Sequence, residues 1–145
     1  MSTFQKPYDI PKPICPAAVM IDWENVAGIS EKSLARIIAR LKLNVRISIA
    51  KAYADWKVCG TQTSALARLG LELVQTSSSG SGKNSADLKL TVDAVELIFT
   101  YPWIKTLVLF SGDRDFVPLI QFARRRGLTV WCLGDRGFYE PNIKG

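Results

Sequence analysis

The chain has no histidine among its 145 residues. That one absence removes imidazole acid–base catalysis, Ser-His-Asp and Cys-His nucleophiles, and histidine-ligated metal sites. A hydrolase made from this chain must run on carboxylates, on lysine, or on a metal held by oxygen ligands. Cysteine is scarce as well. Cys15, Cys59 and Cys132 are odd in number and share no CxxC spacing, which is the usage of a reducing compartment and implies no zinc site. No apolar run approaches the roughly 18 residues of a membrane span. The segment Met1 to Pro16 holds four prolines and no apolar stretch of the secretory kind, so residues 1–16 read as an extended arm rather than a signal peptide, and a cytoplasmic address is expected.

What is present is ordinary in bulk: 48% hydrophobic and 22% charged residues, enough for one domain over residues 17–145 that buries its core without disulfides. The net charge of +6 favours an anionic partner such as nucleic acid.

Short apolar runs alternate with helical patterns. Ala17–Ile21, Val45–Ala54, Leu71–Gln75, Leu107–Phe110 and Leu128–Leu133 read as strands, the second alternating Val45, Ile47 and Ile49 against Arg46 and Ser48. A first helix begins at Ser30, a suitable N-cap, with Leu34, Ile37, Ile38 and Leu41 at i, i+3, i+4 and i+7. A second runs from about Thr61 to Leu69 and stops at Gly70. The third, Ala86–Thr100, carries Leu88, Val92, Val95 and Phe99 on one face, and the fourth spans Phe116–Arg126 before Gly127. The tail after Gly134 shows no pattern. Five strands alternating with four helices imply a three-layer α/β fold with a mostly parallel sheet.

In such a fold the strand exits and helix N-termini share one edge. Asp22, Asn25, Asp55, Asp87, Asp113, Asp115 and Asp135 are therefore expected to gather there, while Arg124, Arg125 and Arg126 fall at a helix C-terminus on the opposite edge, where cations suit the dipole. Crowded carboxylates repel, which raises a pKa or calls for a cation. Without histidine, the simplest cation is Mg²⁺ or Mn²⁺ on oxygen ligands. The competing reading is local: Asp87 and Asp115 also suit the first turn of a helix, and Asn25 suits a turn before Gly28. Asp22 and Asp113 directly follow apolar strands and start no helix, so function is favoured for them. Asp93 lies about 600° of helical rotation beyond Asp87, well off its face. The segment Gly80-Ser81-Gly82-Lys83 imitates a P-loop but lacks the required glycine at Ser77 and hydroxyl at Asn84, so a nucleotide-hydrolysing loop is not expected.

Four segments in order then resemble the NYN domain family, a PIN-like nuclease branch: Ile21-Asp22-Trp23-Glu24-Asn25-Val26, Ala52-Tyr53-Ala54-Asp55-Trp56, Gly82-Lys83-Asn84-Ser85-Ala86-Asp87 with Val92-Asp93-Ala94, and Ser111-Gly112-Asp113-Arg114-Asp115-Phe116-Val117-Pro118-Leu119. The likeness is greatest to bacterial members, often joined to LOTUS-type RNA-binding domains. The resemblance implies a PIN-like, Rossmann-like sheet in the order 3-2-1-4-5, which sets Asp22 beside Asp113. It also implies metal-dependent cleavage of RNA, with Asp22, Asn25, Asp87 and Asp113 as the core and Asp115 and Asp93 in support. Two departures stand out: a bulky Trp23, expected to pack beneath the rim rather than stack on a base, and Arg114 between two aspartates.

The mechanism expected from this set has Asp22, Asp87 and Asp113 binding Mg²⁺ or Mn²⁺, with Asn25 and Asp115 orienting water or outer ligands. Lys57, Lys83, Arg114 and Arg136 are candidate contacts to the RNA backbone, weighed against plain solvated charge. Two other classes stay open, an idle RNA-binding or protein-interaction module and a metal-dependent phosphatase. A homodimer and a LOTUS-type domain in a longer parent protein are compatible with the resemblance. Trp56, Trp103 and Phe138 fit either a dimer surface or the core.

Overall fold

A computed structural model describes residues 15–26, 28–77, 85–111, 114–134 and 137–142. Its centre is β1 (Cys15–Asp22), buried from Ala17 to Asp22. A strand covered on both faces reads as a continuous apolar run, which is what this segment supplies. The remaining elements follow as α1 (Trp23–Val26), α2 (Glu31–Leu41), β2 (Val45–Ala54), α3 (Thr63–Arg68), β3 (Glu72–Gln75), α4 (Ser85–Thr100), β4 (Thr106–Phe110), α5 (Val117–Arg125), β5 (Thr129–Gly134) and β6 (Gly137–Tyr139). The sheet order is β3-β2-β1-β4-β5-β6. Every pairing is parallel except β5 with β6. The order 3-2-1-4-5 is thus present, with a sixth, antiparallel strand in the tail where the sequence shows no pattern.

Two apolar layers flank the sheet. On one face α1, α2 and α3 bury Trp23, Leu34, Ile38 and Leu66 against Val19 and Phe110. On the other, α4 and α5 bury Leu90, Leu97 and Ile120 against Met20, Tyr53 and Leu109. α2 starts as expected, with the Ser30 hydroxyl accepting from the Ser33 amide at 3.1 Å. Gly70 and Gly127 follow α3 and α5 with φ of +86° and +88°, the left-handed conformation that closes a helix without cost only for glycine. α3 is shorter than the pattern implies, its first part being a 3₁₀ turn over Gly60–Gln62.

The simple alternation expected in β2 does not hold. Ala17 pairs with Ile47 but Ala18 pairs with Ile49, so Ser48 is an extra residue in the register. The bulge moves Ile49 to the α4 side, while Val45 and Ile47 stay on the α2 side. α4 likewise turns its expected stripe outward: Leu88, Val92 and Phe99 are 66%, 51% and 57% exposed. The buried side is Ala86, Leu90, Ala94, Leu97 and Ile98, where the two alanines let the helix approach the sheet closely. Of the proline arm, Cys15 and Pro16 already belong to β1, and residues 1–14 lie outside the described residues. No helix among the described residues is long and apolar enough to cross a membrane.

Candidate active site at the strand exits

β1 ends at Asp22 between its two parallel neighbours: Asp22 is in register with Tyr53 on β2, and Ile21 with Phe110 on β4. Its carboxylate is 1% exposed. A buried carboxylate is costly unless donors reach it. Two do. The Asn25 amide donates to Asp22 Oδ2, and the Ser111 hydroxyl lies 3.4 Å from the same oxygen. Asn25 gets there because the chain coils into the one-turn α1 immediately after the strand, bringing a side chain three residues on over Asp22. Trp23 fixes that turn from below: it is 3% exposed and packs on Trp56 at 6.2 Å between ring centroids. Asn25 therefore sits on a helical turn rather than in a loop, and Trp23 packs beneath the rim as expected. Ser111, buried at 4% exposure, is the contact that sequence reading passed over; its only signal is its place directly before Gly112-Asp113.

Asp87 lies half-buried in the first turn of α4, two residues inside Ser85, so it is a first-turn residue and not the cap. Asp115 is exposed on the 3₁₀ turn Arg114–Phe116, one residue ahead of Phe116, the N-cap of α5. α4 packs against both β1 and that turn, so the elements carrying Asp22, Asp87 and Asp115 adjoin one another. Asp113, Lys83, Asp135 and Arg136 lie outside the described residues, as does the side chain of Arg114. Lys57 is exposed in the turn after β2. Among the described residues no three cysteine or acidic side chains cluster closely enough to hold a metal. In kind the donors suit a hard divalent cation, since Asp22, Asn25, Ser111, Asp87 and Asp115 all offer oxygen.

Two further acids weighed in the sequence, Asp55 at the exit of β2 and Asp93 on α4, make bonds to other elements. Asp55 accepts from the Lys57 amide at 3.2 Å and from the Gln75 side chain at 2.8 Å, tying the end of β2 to the end of β3. Asp93 accepts from the Tyr53 hydroxyl at 2.9 Å and pairs with Lys89 at 3.2 Å. It borders a cleft of about 410 Å³ between α4 and β2, lined also by Lys51, Glu72 and Glu96. The arginine run ends α5 as expected: Arg124 donates to the Pro141 carbonyl, and the Arg126 guanidinium lies 4.6 Å above the Phe99 ring. Trp56 and Phe138 are half-buried, Phe138 against Phe110 at 5.5 Å, while Trp103 is 47% exposed.

A family model described as the NYN domain matches residues 16–144. The chain belongs to the NYN domain family. NYN domains are PIN-like and are read as nucleases, and the match is to the NYN domain itself, with no support for a LOTUS-associated type. A crystal structure of a protein of unknown function, VPA0982 from Vibrio parahaemolyticus, superposes with a TM-score of 0.63 and 23% identity over 90% of this chain and 85% of that one. At that identity the likeness speaks for the fold. A stretch of 48 residues is 42% identical to the Uncharacterized protein MJ0482 of Methanocaldococcus jannaschii, covering 33% of this NYN chain and 20% of that protein. The match thus spans about a fifth of that relative's length.

Proposed function

We propose that this NYN domain is a metal-dependent ribonuclease whose active site is the rim at the exits of β1 and β4. The observation that carries the reading is Asp22: a carboxylate buried at the end of the central strand and steadied by the amide of Asn25 and the hydroxyl of Ser111. Burial of this kind costs stability, and an apolar residue would fill the position more cheaply. Asp22 and Asp87, with Asp113, would hold Mg²⁺ or Mn²⁺. Such an ion acidifies bound water and offsets phosphodiester charge. Asn25 and Ser111 hold the Asp22 carboxylate in one orientation, and Asp115 faces solvent where an outer ligand or water is aligned. Lys57, Lys83, Arg114 and Arg136 supply the cationic border for the RNA backbone, so binding should weaken steeply with salt.

The cleft between α4 and β2, lined by Ser48 and Thr100, lies toward the C-terminal end of α4 and away from this rim. An open rim suits a polymer better than the enclosed pocket typical of small phosphate esters, which favours the nuclease over the phosphatase. The test is cleavage of a fluorescent single-stranded RNA with Mn²⁺, with Mg²⁺ and with EDTA, alongside Asp22→Asn. Cutting should need metal, leave 5′-phosphate and 3′-hydroxyl ends, tolerate a 2′-deoxy scissile nucleotide, and fall by about 10³-fold or more in the variant while its Tm is kept. Intact RNA that is still bound would favour an idle RNA-binding module. Products ending in a 2′,3′-cyclic phosphate would overturn the mechanism.

A further inference from the structure

Between α2 and the β5–β6 end of the sheet runs an apolar groove that the chemistry of the rim does not use. It consists of two cavities, of about 210 and 290 Å³, that share Asn44 and Phe138. Trp131, Leu133 and Phe138 form its floor and Ile37 its wall, all only partly buried, and Leu43 at its border is 78% exposed. The groove begins where the described chain begins. Val45, one of its lining residues, is in register with Cys15, and neighbouring strands lie about 5 Å apart. Residues 1–14 therefore join the fold at the mouth of the groove.

The sequence of that segment has a period of its own. Phe4, Pro7, Ile10 and Pro13 recur every third residue, Tyr8, Pro11 and Ile14 do the same, and the remaining register is Thr3, Lys6, Asp9 and Lys12. Polyproline II has three residues per turn, so in that conformation the segment has two apolar edges and one polar edge. Its prolines exclude a helix and withhold donors that a strand would need. Proline-rich segments dock in grooves lined by aromatic rings, and Trp131 and Phe138 line this one. We infer that residues 4–13 lie in the groove as a polyproline II strap, with Pro7 and Ile10 against the rings and Lys6, Asp9 and Lys12 toward solvent. The length fits. The groove runs from the level of Cys15 to Leu133, one residue beyond the level of Met20, which is about 20 Å of strand. Residues 4–13 span about 28 Å at 3.1 Å per residue, leaving a few to turn back from β1. The strap's carbonyls, which make no internal hydrogen bonds, come within reach of Arg40 at the border. Tethering decides the occupant: a segment joined this close is held at a millimolar effective concentration, ahead of any free partner.

The test uses the full chain with Cys15→Ser and Cys59→Ser, the buried Cys132 being kept. Ile10→Cys is combined either with Leu133→Cys in the groove or with Glu96→Cys in the cleft on the other face of the sheet. Mild oxidation is followed by mass spectrometry, and circular dichroism and Tm check each fold. The Leu133 pair should close a disulfide within one chain about tenfold faster or more than the Glu96 pair, since an undocked arm samples both positions at similar effective concentrations. With the native cysteines in place, Ile10→Asp should speed amide exchange over residues 137–139 by about tenfold or more, and Asp9→Ser on the polar edge should leave it unchanged. Equal rates for the two pairs, or exchange indifferent to Ile10→Asp, would overturn the assignment. A faster link to residue 96 would overturn it by putting the arm in the cleft, and links between chains that grow with concentration would do so by putting a second copy's arm in the groove. None of these readouts depends on catalysis.

Discussion

Tyr53→Phe isolates the part Asp93 plays. Tyr53 is fully buried on β2, and its hydroxyl donates to Asp93 Oδ2 at 2.9 Å while Lys89 sits 3.2 Å from the other oxygen. The substitution keeps the ring and removes one hydrogen bond to a charged acceptor, a loss of about 1.5–3 kcal/mol. Asp93 retains Lys89 and is 15% exposed, so water can replace part of what is lost and the lower end, about 1.5 kcal/mol, applies. For a chain of this length that is about 4–6 °C in Tm. Burial, then the hydrogen bond to Asp93 and the negative charges of Asp93 and Glu72, hold the phenol proton well above the ordinary tyrosine range. The unfolded chain releases that proton near pH 10 while the folded chain keeps it, so stability should fall as pH rises past 10. Urea unfolding at neutral pH gives the first quantity, and the phenolate absorbance of an alkaline titration gives the second: one tyrosine should ionise only on unfolding, and Tyr53→Phe should abolish that step. Metal-dependent RNA cleavage by the variant should stay within about twofold of wild type. Unchanged stability with lost cleavage would refute the argument and return Asp93 to the active site.

Two further outcomes follow from the packing. Burial pushes the Cys132 thiol up to about 11 against a small opposing pull from Arg124, so alkylation at pH 8 should mark exposed Cys15 first and reach Cys132 only in denaturant, as mass spectrometry of the labelled chain would show. Between pH 9 and 11 the unfolded state sheds this proton and the folded state does not, a loss of up to roughly 2 kcal/mol that Cys132→Ala should remove from the pH–stability curve. Gly127→Ala meets no neighbouring atom, but its φ of +88° strains any residue with a Cβ, so about 1 kcal/mol should be lost in thermal unfolding.

The parts of the fold that were legible in the sequence are those where one local rule acts alone. Ser30 starts α2, glycine follows α3 and α5, and an apolar run with acids at its exit places β1 and Asp22. Where two rules compete, the reading fails. α4 is apolar on two sides, and periodicity selects the stripe of large residues, Leu88 to Phe99, whereas the sheet takes the side where Ala86 and Ala94 permit close approach. The bulge at Ser48 leaves no trace in composition, because either face of β2 offers isoleucine an apolar place. β6 has three residues, too few for any period. At the strand exit, the placement of Asp22 and of Asn25 over it was legible from position. The role of Ser111 depends on the pairing of β1 with β4, and the tie from Asp55 to Gln75 on that of β2 with β3, which no local pattern encodes. Asp113 lies outside the described residues, and its proposed place in the site rests on its position after an apolar strand run and on the family resemblance.

The ends of the sheet bear on how copies of this domain can meet. One outer strand, β3, has four residues and the other, β6, has three. A free strand edge is a template for adding another chain, and it recruits best when long and flat. Edges this short offer few unpaired backbone groups, and Glu72 and Lys51 put charge beside the β3 edge. Growth of the sheet from one molecule into the next is thereby discouraged at both ends. Side-by-side assembly into fibres therefore has little to start from.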